Sequence, residues 1–129
     1  METTEKVSVN MNIATISQID LLVDEGYFSN RSDFINQAVR QVLEKKTHIV
    51  EGVRRRQSEH DHWFIGIAVL GSDDFMNAME KRKKMKLSGY GLLVIEGVPD
   101  ELVFETVESI KVKGKIVCSD KVKEHFSLR

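Results

Sequence analysis

Between Lys6 and Asn12 the chain reads KVSVNMN, with Val7, Val9 and Met11 alternating against Lys6, Ser8, Asn10 and Asn12. That period of two predicts a half-buried β-strand. Ile13, Ile16, Ile19, Leu22 and Val23 then recur at helical intervals, and Gly26 stands where a glycine ends a helix. A second helix is predicted in SNRSDFINQAVRQVL, with Ser29 as its N-cap and a broad apolar stripe of Phe34, Ile35, Ala38, Val39, Val42 and Leu43. The order is strand, helix, helix.

A unit of roughly forty residues cannot bury a core of its own, and a lone strand leaves a sheet edge and apolar faces uncovered. It needs a partner. Two copies pairing their strands antiparallel about a two-fold axis close the apolar strand face over four helices. Lys6, Ser8 and Asn10 of both chains then project outward as a polar ribbon, which the major groove of B-DNA accepts.

These residues resemble the ribbon-helix-helix transcriptional regulators of the CopG, MetJ and Arc type. The resemblance covers about residues 5–46 and rests on KVSVNMN, on the helix with its terminal glycine, and on SNRSDFINQAVRQVL. It implies an intertwined homodimer on double-stranded DNA, base reading by Lys6, Ser8 and Asn10, and phosphate anchoring at the start of the second helix by Asn30, Arg31 and Ser32. Ser29 joins them either as a cap or as a phosphate donor. Family strands often carry Arg or Thr at the reading positions, where this chain has Ser8 and Asn10. The physical reason for the anchor is general, since the first turn of a helix offers unpaired N–H groups and a positive dipole end.

Beyond this module, GIAVL at 66–70, GLLVI at 91–95 and GKIVC at 114–118 recur at spacings of 25 and 23. Each is introduced by glycine and followed by an acidic turn that opens a helix-like segment. Three strand–helix units are expected, with Val103, Val107 and Ile110 as a helical stripe in the second and Pro99 in its first turn. Units of this size bury their apolar faces by stacking on one another. The alternative is a compact α+β sensor domain whose single sheet is covered on one side. The expected class is thus α+β, with residues 1–50 for DNA binding and dimerisation and residues 59–129 as an α/β repeat domain for oligomerisation or sensing.

Charge narrows the partners. Nineteen basic and twenty acidic residues in 129 give a net charge of −1, so no global positive field favours nucleic acid or membrane. Residues 1–46 carry five basic and seven acidic groups, residues 47–86 eight and six, and residues 87–129 six and seven. The middle third holds Arg54, Arg55 and Arg56 and the run KRKKMK at 81–86, which either touch flanking phosphates or form solvated helix faces. One cysteine excludes an intramolecular disulfide framework, METTEK lacks a secretory signature, and the apolar run Trp63 to Leu70 is far short of the ~18 residues of a membrane span. A cytoplasmic protein with no membrane association is expected.

Candidate chemistry is sparse. EHDH at 59–62 would place His60 and His62 on one face of a strand, at a spacing that can chelate a transition metal, with Cys118 and His125 as further ligands. No phosphate loop, carboxylate pair in an apolar setting or Ser/His/Asp arrangement stands out. The leading expectation is a non-enzymatic, cofactor-free, site-specific DNA-binding transcriptional regulator that acts as a repressor. The alternatives are a metal-responsive repressor, or an antitoxin-like or scaffolding protein whose C-terminal half binds another protein.

Overall fold

The computed structural model of the chain describes residues 4–57 and 62–128. It is mixed helix and strand, in two compact units, Met1–His48 and Ile49–Arg129.

The first unit holds α1 (Ile13–Asp24) and α2 (Arg31–Lys45). The side chain of Asn12 starts α1 by accepting from the Ala14 N–H at 2.8 Å. Its end is a Schellman arrangement, in which Gly26 N–H donates to the Val23 carbonyl and Tyr27 N–H to the Leu22 carbonyl, both at 3.0 Å. Gly26 reaches φ +86° there, which a residue with a Cβ resists. The expected N-cap of α2 is corrected by one residue, from Ser29 to Asn30. Asn30 Oδ1 accepts from Asp33 N–H at 2.8 Å, and Asp33 Oδ2 accepts from Ser29 N–H at 3.0 Å. Serine and asparagine cap about equally well, but starting from Asn30 puts an acidic side chain three residues on, where it can reach back.

The strand expected from Lys6 to Asn12 is not formed in the single chain: residues 4–12 take no regular secondary structure and pair with no strand among the described residues, an edge segment with no partner to fix it, and Val7 and Val9 are 78% and 73% exposed. Val39, Val42 and Leu43 of α2 are exposed as well.

α3 (Thr47–Gln57), a separate helix that the periodicity did not predict, starts at the end of the first unit and leads into the second. After it come β1 (Trp63–Leu70), α4 (Ser72–Glu80), β2 (Met85–Ile95), α5 (Asp100–Thr106), β3 (Val107–Val117) and α6 (Asp120–His125). The strands form one parallel sheet in the order β1-β2-β3. Phe75 and Ala78 of α4, Val103 of α5 and Val122 of α6 pack with Leu87, Leu93, Ile95, Ile110 and Ile116 on one face of it. On the other face Ile65, Ile67, Val69 and Tyr90 are exposed, as are Lys111, Lys113 and Lys115.

Four sequence expectations change here. The glycines lie inside the strands and do not open them, because each strand extends several residues upstream. Val107 and Ile110 belong to β3 and not to a helical stripe, since α5 ends at Thr106 and the β-branched residues that follow continue extended. Pro99 is the N-cap of α5, ahead of its first turn. In KRKKMK, Lys81 caps the end of α4 and Met85 and Lys86 already lie in β2, so the run is no single helix face.

Gly66, Gly91 and Gly114 stand side by side across the sheet, with φ of +108°, +124° and +145°. A Cβ on Gly91 would lie 1.9 Å from the carbonyl oxygen of Gly66, and one on Gly114 2.0 Å from that of Gly91. At Gly91 and Gly114 no side chain has room, and at Gly66 only the positive φ stands against one.

Candidate nucleic-acid interface

The N-terminal unit brings its candidate residues to two places. Lys6, Ser8 and Asn10 are exposed on the unpaired segment before α1, and Ser29, Asn30, Arg31 and Ser32 are exposed around the start of α2. The loop between the helices is anchored by Phe28, whose ring meets Phe34 edge-on with centroids 4.9 Å apart. That contact and the Gly26 turn set the direction in which α2 begins.

Sequence reading missed Asp20. It holds Arg31 in a bidentate pair, with Nε donating to Oδ1 at 2.7 Å and Nη2 to Oδ2 at 2.9 Å. Hydrogen bonding from Arg31 keeps the Asp20 carboxyl below its ordinary pKa, and the same bond raises that of Arg31. Both side chains are about half exposed, so the pair adds little stability. Its effect is geometric, since it orients a guanidinium that has five donors and leaves the rest unspent on Asp20. Eleven residues separate the two, a distance with no local pattern to announce it. The Asp33 cap did have a signal, an asparagine followed three residues later by an acid. Its carboxyl is held low by the Ser29 N–H, and further by the Gln37 side chain.

The other candidates disperse. Arg54 pairs with Glu51 at 3.6 Å on α3, and Lys86 approaches Glu108 at 4.0 Å. His60 lies outside the described residues. His62 sits in a turn at φ +42° and not on a strand, bordering an open cavity of about 280 Å³ with Lys81, Lys83 and Lys84, whose ammonium groups oppose a cation. Cys118 follows the end of β3, where burial pushes its thiol pKa up, and His125 stacks on Phe104 at 4.3 Å. Among the described residues no three His, Cys, Asp or Glu side chains gather as a metal site, and no helix is long and apolar enough to cross a membrane.

An unpaired alternating segment followed by two capped helices is the single-chain half of a ribbon-helix-helix module. The chain belongs to the ribbon-helix-helix transcriptional regulator family, whose profile matches residues 2–123. It is 41% identical over 39 residues to the protein called "Uncharacterized protein MJ1679" of Methanocaldococcus jannaschii, a match covering 30% of this chain and 40% of that protein. No solved structure matches.

Proposed function

We propose that this regulator is a homodimer that inserts a two-stranded ribbon, one strand from each chain, into the major groove and represses transcription from the site it reads. The observation carrying this reading is the uncovered apolar surface of the first unit. Val7 and Val9 on the alternating segment are largely exposed and Val39, Val42 and Leu43 on α2 about half exposed in one chain, and pairing two chains supplies the missing cover. The same pairing turns Lys6, Ser8 and Asn10 outward. Lys6 suits guanine acceptors and Asn10 suits a bidentate contact to adenine, whereas Ser8 discriminates little.

Phosphate anchoring falls to the mouth of α2. Asn30 serves the helix as its cap, which leaves Ser29 and Ser32 hydroxyls and the Arg31 donors not taken by Asp20 to face the backbone. The Asp20 pair supports this role by presenting Arg31 already ordered.

The second unit is read as three stacked strand–helix units serving assembly or sensing. The register of Gly66, Gly91 and Gly114 supports that reading. An antitoxin-like tail orders only on its partner; here residues of β1 to α6 share a core, which favours the regulator.

Affinity measured across a salt series on operator and random DNA tests both roles. Asn10→Ala should cost about 1–3 kcal/mol at the operator and relax one base position per half-site, with random DNA little affected. Arg31→Ala should weaken both DNA types and lower the salt slope by about two, one per subunit. An unchanged base preference in the first variant, or an unchanged slope in the second, removes that residue's role.

A further inference from the structure

We propose that the free edge of β1 pairs antiparallel with β1 of a second copy of this chain, joining two three-stranded sheets into one of six. This goes beyond the DNA-reading role and does not depend on it.

The two edges of the sheet differ. β3 carries Lys111, Lys113 and Lys115, and lysines on an edge keep other strands away. β1, WFIGIAVL, has no charge in eight residues. The carbonyls of His62 and Leu70 accept from Ser88 and Glu96 on the β2 side. Backbone groups alternate sides along a strand, so those of Trp63, Ile65, Ile67 and Val69 face the free edge. An uncharged strand whose outward donors and acceptors meet no strand among the described residues is a template for another strand.

Gly66 is the second observation. It shares the positive φ of Gly91 and Gly114, yet where their Cβ positions are filled by a neighbouring carbonyl oxygen at 1.9–2.0 Å, nothing lies within 4 Å of the corresponding point at Gly66. β1 therefore presents to the outside the same seat that β2 and β3 present to their neighbours inside the sheet. Carbonyl oxygens of one strand close on the Cα of the next throughout β-sheets, and a strand docked at this edge would fill the seat.

The occupant is a second copy because the edge complements itself. Two uncharged β1 strands meet without like-charge repulsion, and their pairing sets Ile65, Ile67 and Val69 of both copies side by side, covering side chains that are 39%, 53% and 61% exposed in one chain. Residues 6–12, unpaired as well, set the charged Lys6 and the polar Ser8, Asn10 and Asn12 between Val7, Val9 and Met11, whereas β1 carries no charge along its length.

Two measurements on the full chain test the pairing. In the unmodified protein the amides of Ile65, Ile67 and Val69 should resist hydrogen exchange as those of β2 do; exchange at the rate of exposed loops overturns the proposal. Sedimentation then compares Val9→Asp, which disables any N-terminal pairing, with the same variant also carrying Ile65→Lys and Ile67→Lys. The first should be a dimer and the second a monomer, the lysines standing at exposed positions that leave the fold intact by circular dichroism. A monomeric Val9→Asp chain, or a dimer indifferent to the lysines, overturns it. Ile65→Lys/Ile67→Lys alone remains a dimer where the N-terminal ribbon forms, and becomes a monomer where only the ribbon reading fails.

Discussion

Replacing Gly91 with Ala tests the glycine row directly. The new Cβ would sit 1.9 Å from the Gly66 carbonyl oxygen, whereas close carbon–oxygen contacts between strands are about 3.3 Å. β1 and β2 must therefore part by about 1.4 Å, between strands normally only about 4.8 Å apart. Holding a residue with a Cβ at φ +124° costs about 1–3 kcal/mol. Overpacking the seam costs about 1–3 kcal/mol more. The expected loss of about 2–6 kcal/mol is a large share of the about 5–15 kcal/mol that holds a domain together. Two companions separate the contributions. Gly66→Ala meets open space within the chain and bears only the backbone strain, while Gly52→Ala in α3 meets only ordinary contact and should stabilise by about 0.5–1 kcal/mol. Urea unfolding followed through Trp63, the single tryptophan, reads all three. The Ile65→Lys/Ile67→Lys background keeps pairing between copies out of the measurement. A Gly91→Ala protein no less stable than Gly66→Ala would refute the close-approach reasoning.

Asn30→Ala should lower the stability of the first unit by about 1 kcal/mol in a denaturant titration monitored by circular dichroism, with Ser29→Ala much milder. The carboxyl of Asp33 is held below its ordinary value, so its contribution is present above the unfolded pKa of about 3.9 and is lost as pH falls through the lower folded value. Asp33→Asn should accordingly flatten the acid limb of helix loss below about pH 4, and an unaltered limb on an acid titration would show that the cap does not carry it. Cys118 should react slowly with a thiol reagent at neutral pH and much faster in urea, because burial disfavours its thiolate; equal rates would mean that its surroundings do nothing.

How much of this was legible depended on whether the cause was local. The helix from Ile13 and the turn at Gly26 follow from spacing and from one residue's conformational freedom, both printed in a few consecutive letters. The recurrence of glycine at 66, 91 and 114 was visible too, but its meaning was not. A glycine before an apolar run looks like a strand opener, and only the register shows a neighbouring carbonyl pressing against each one. Val107 and Ile110 read as a helical stripe in the sequence because positions three apart fit a helix as well as an irregular strand, and a register shift between Met85 and Lys86 disturbs the alternation in the pairing of β2 with β3. The Asp20–Arg31 pair, across eleven residues and a turn, is a product of tertiary placement. The alternating segment at 6–12 is the opposite case, since its period of two forms no strand within one chain and points to a second.

The sheet order β1-β2-β3 has a kinetic consequence. Its pairings join Gly66 to Gly91 and Gly91 to Gly114, so no strand waits for a distant part of the chain. Parallel sheets are slow to form when their contacts are remote in sequence, and closing a loop costs more as it lengthens. Here each closure spans one helix. During synthesis β1 and β2 can zip together while β3 is still being made, and the nascent sheet grows from its first strand outward, leaving only one new edge open at any moment.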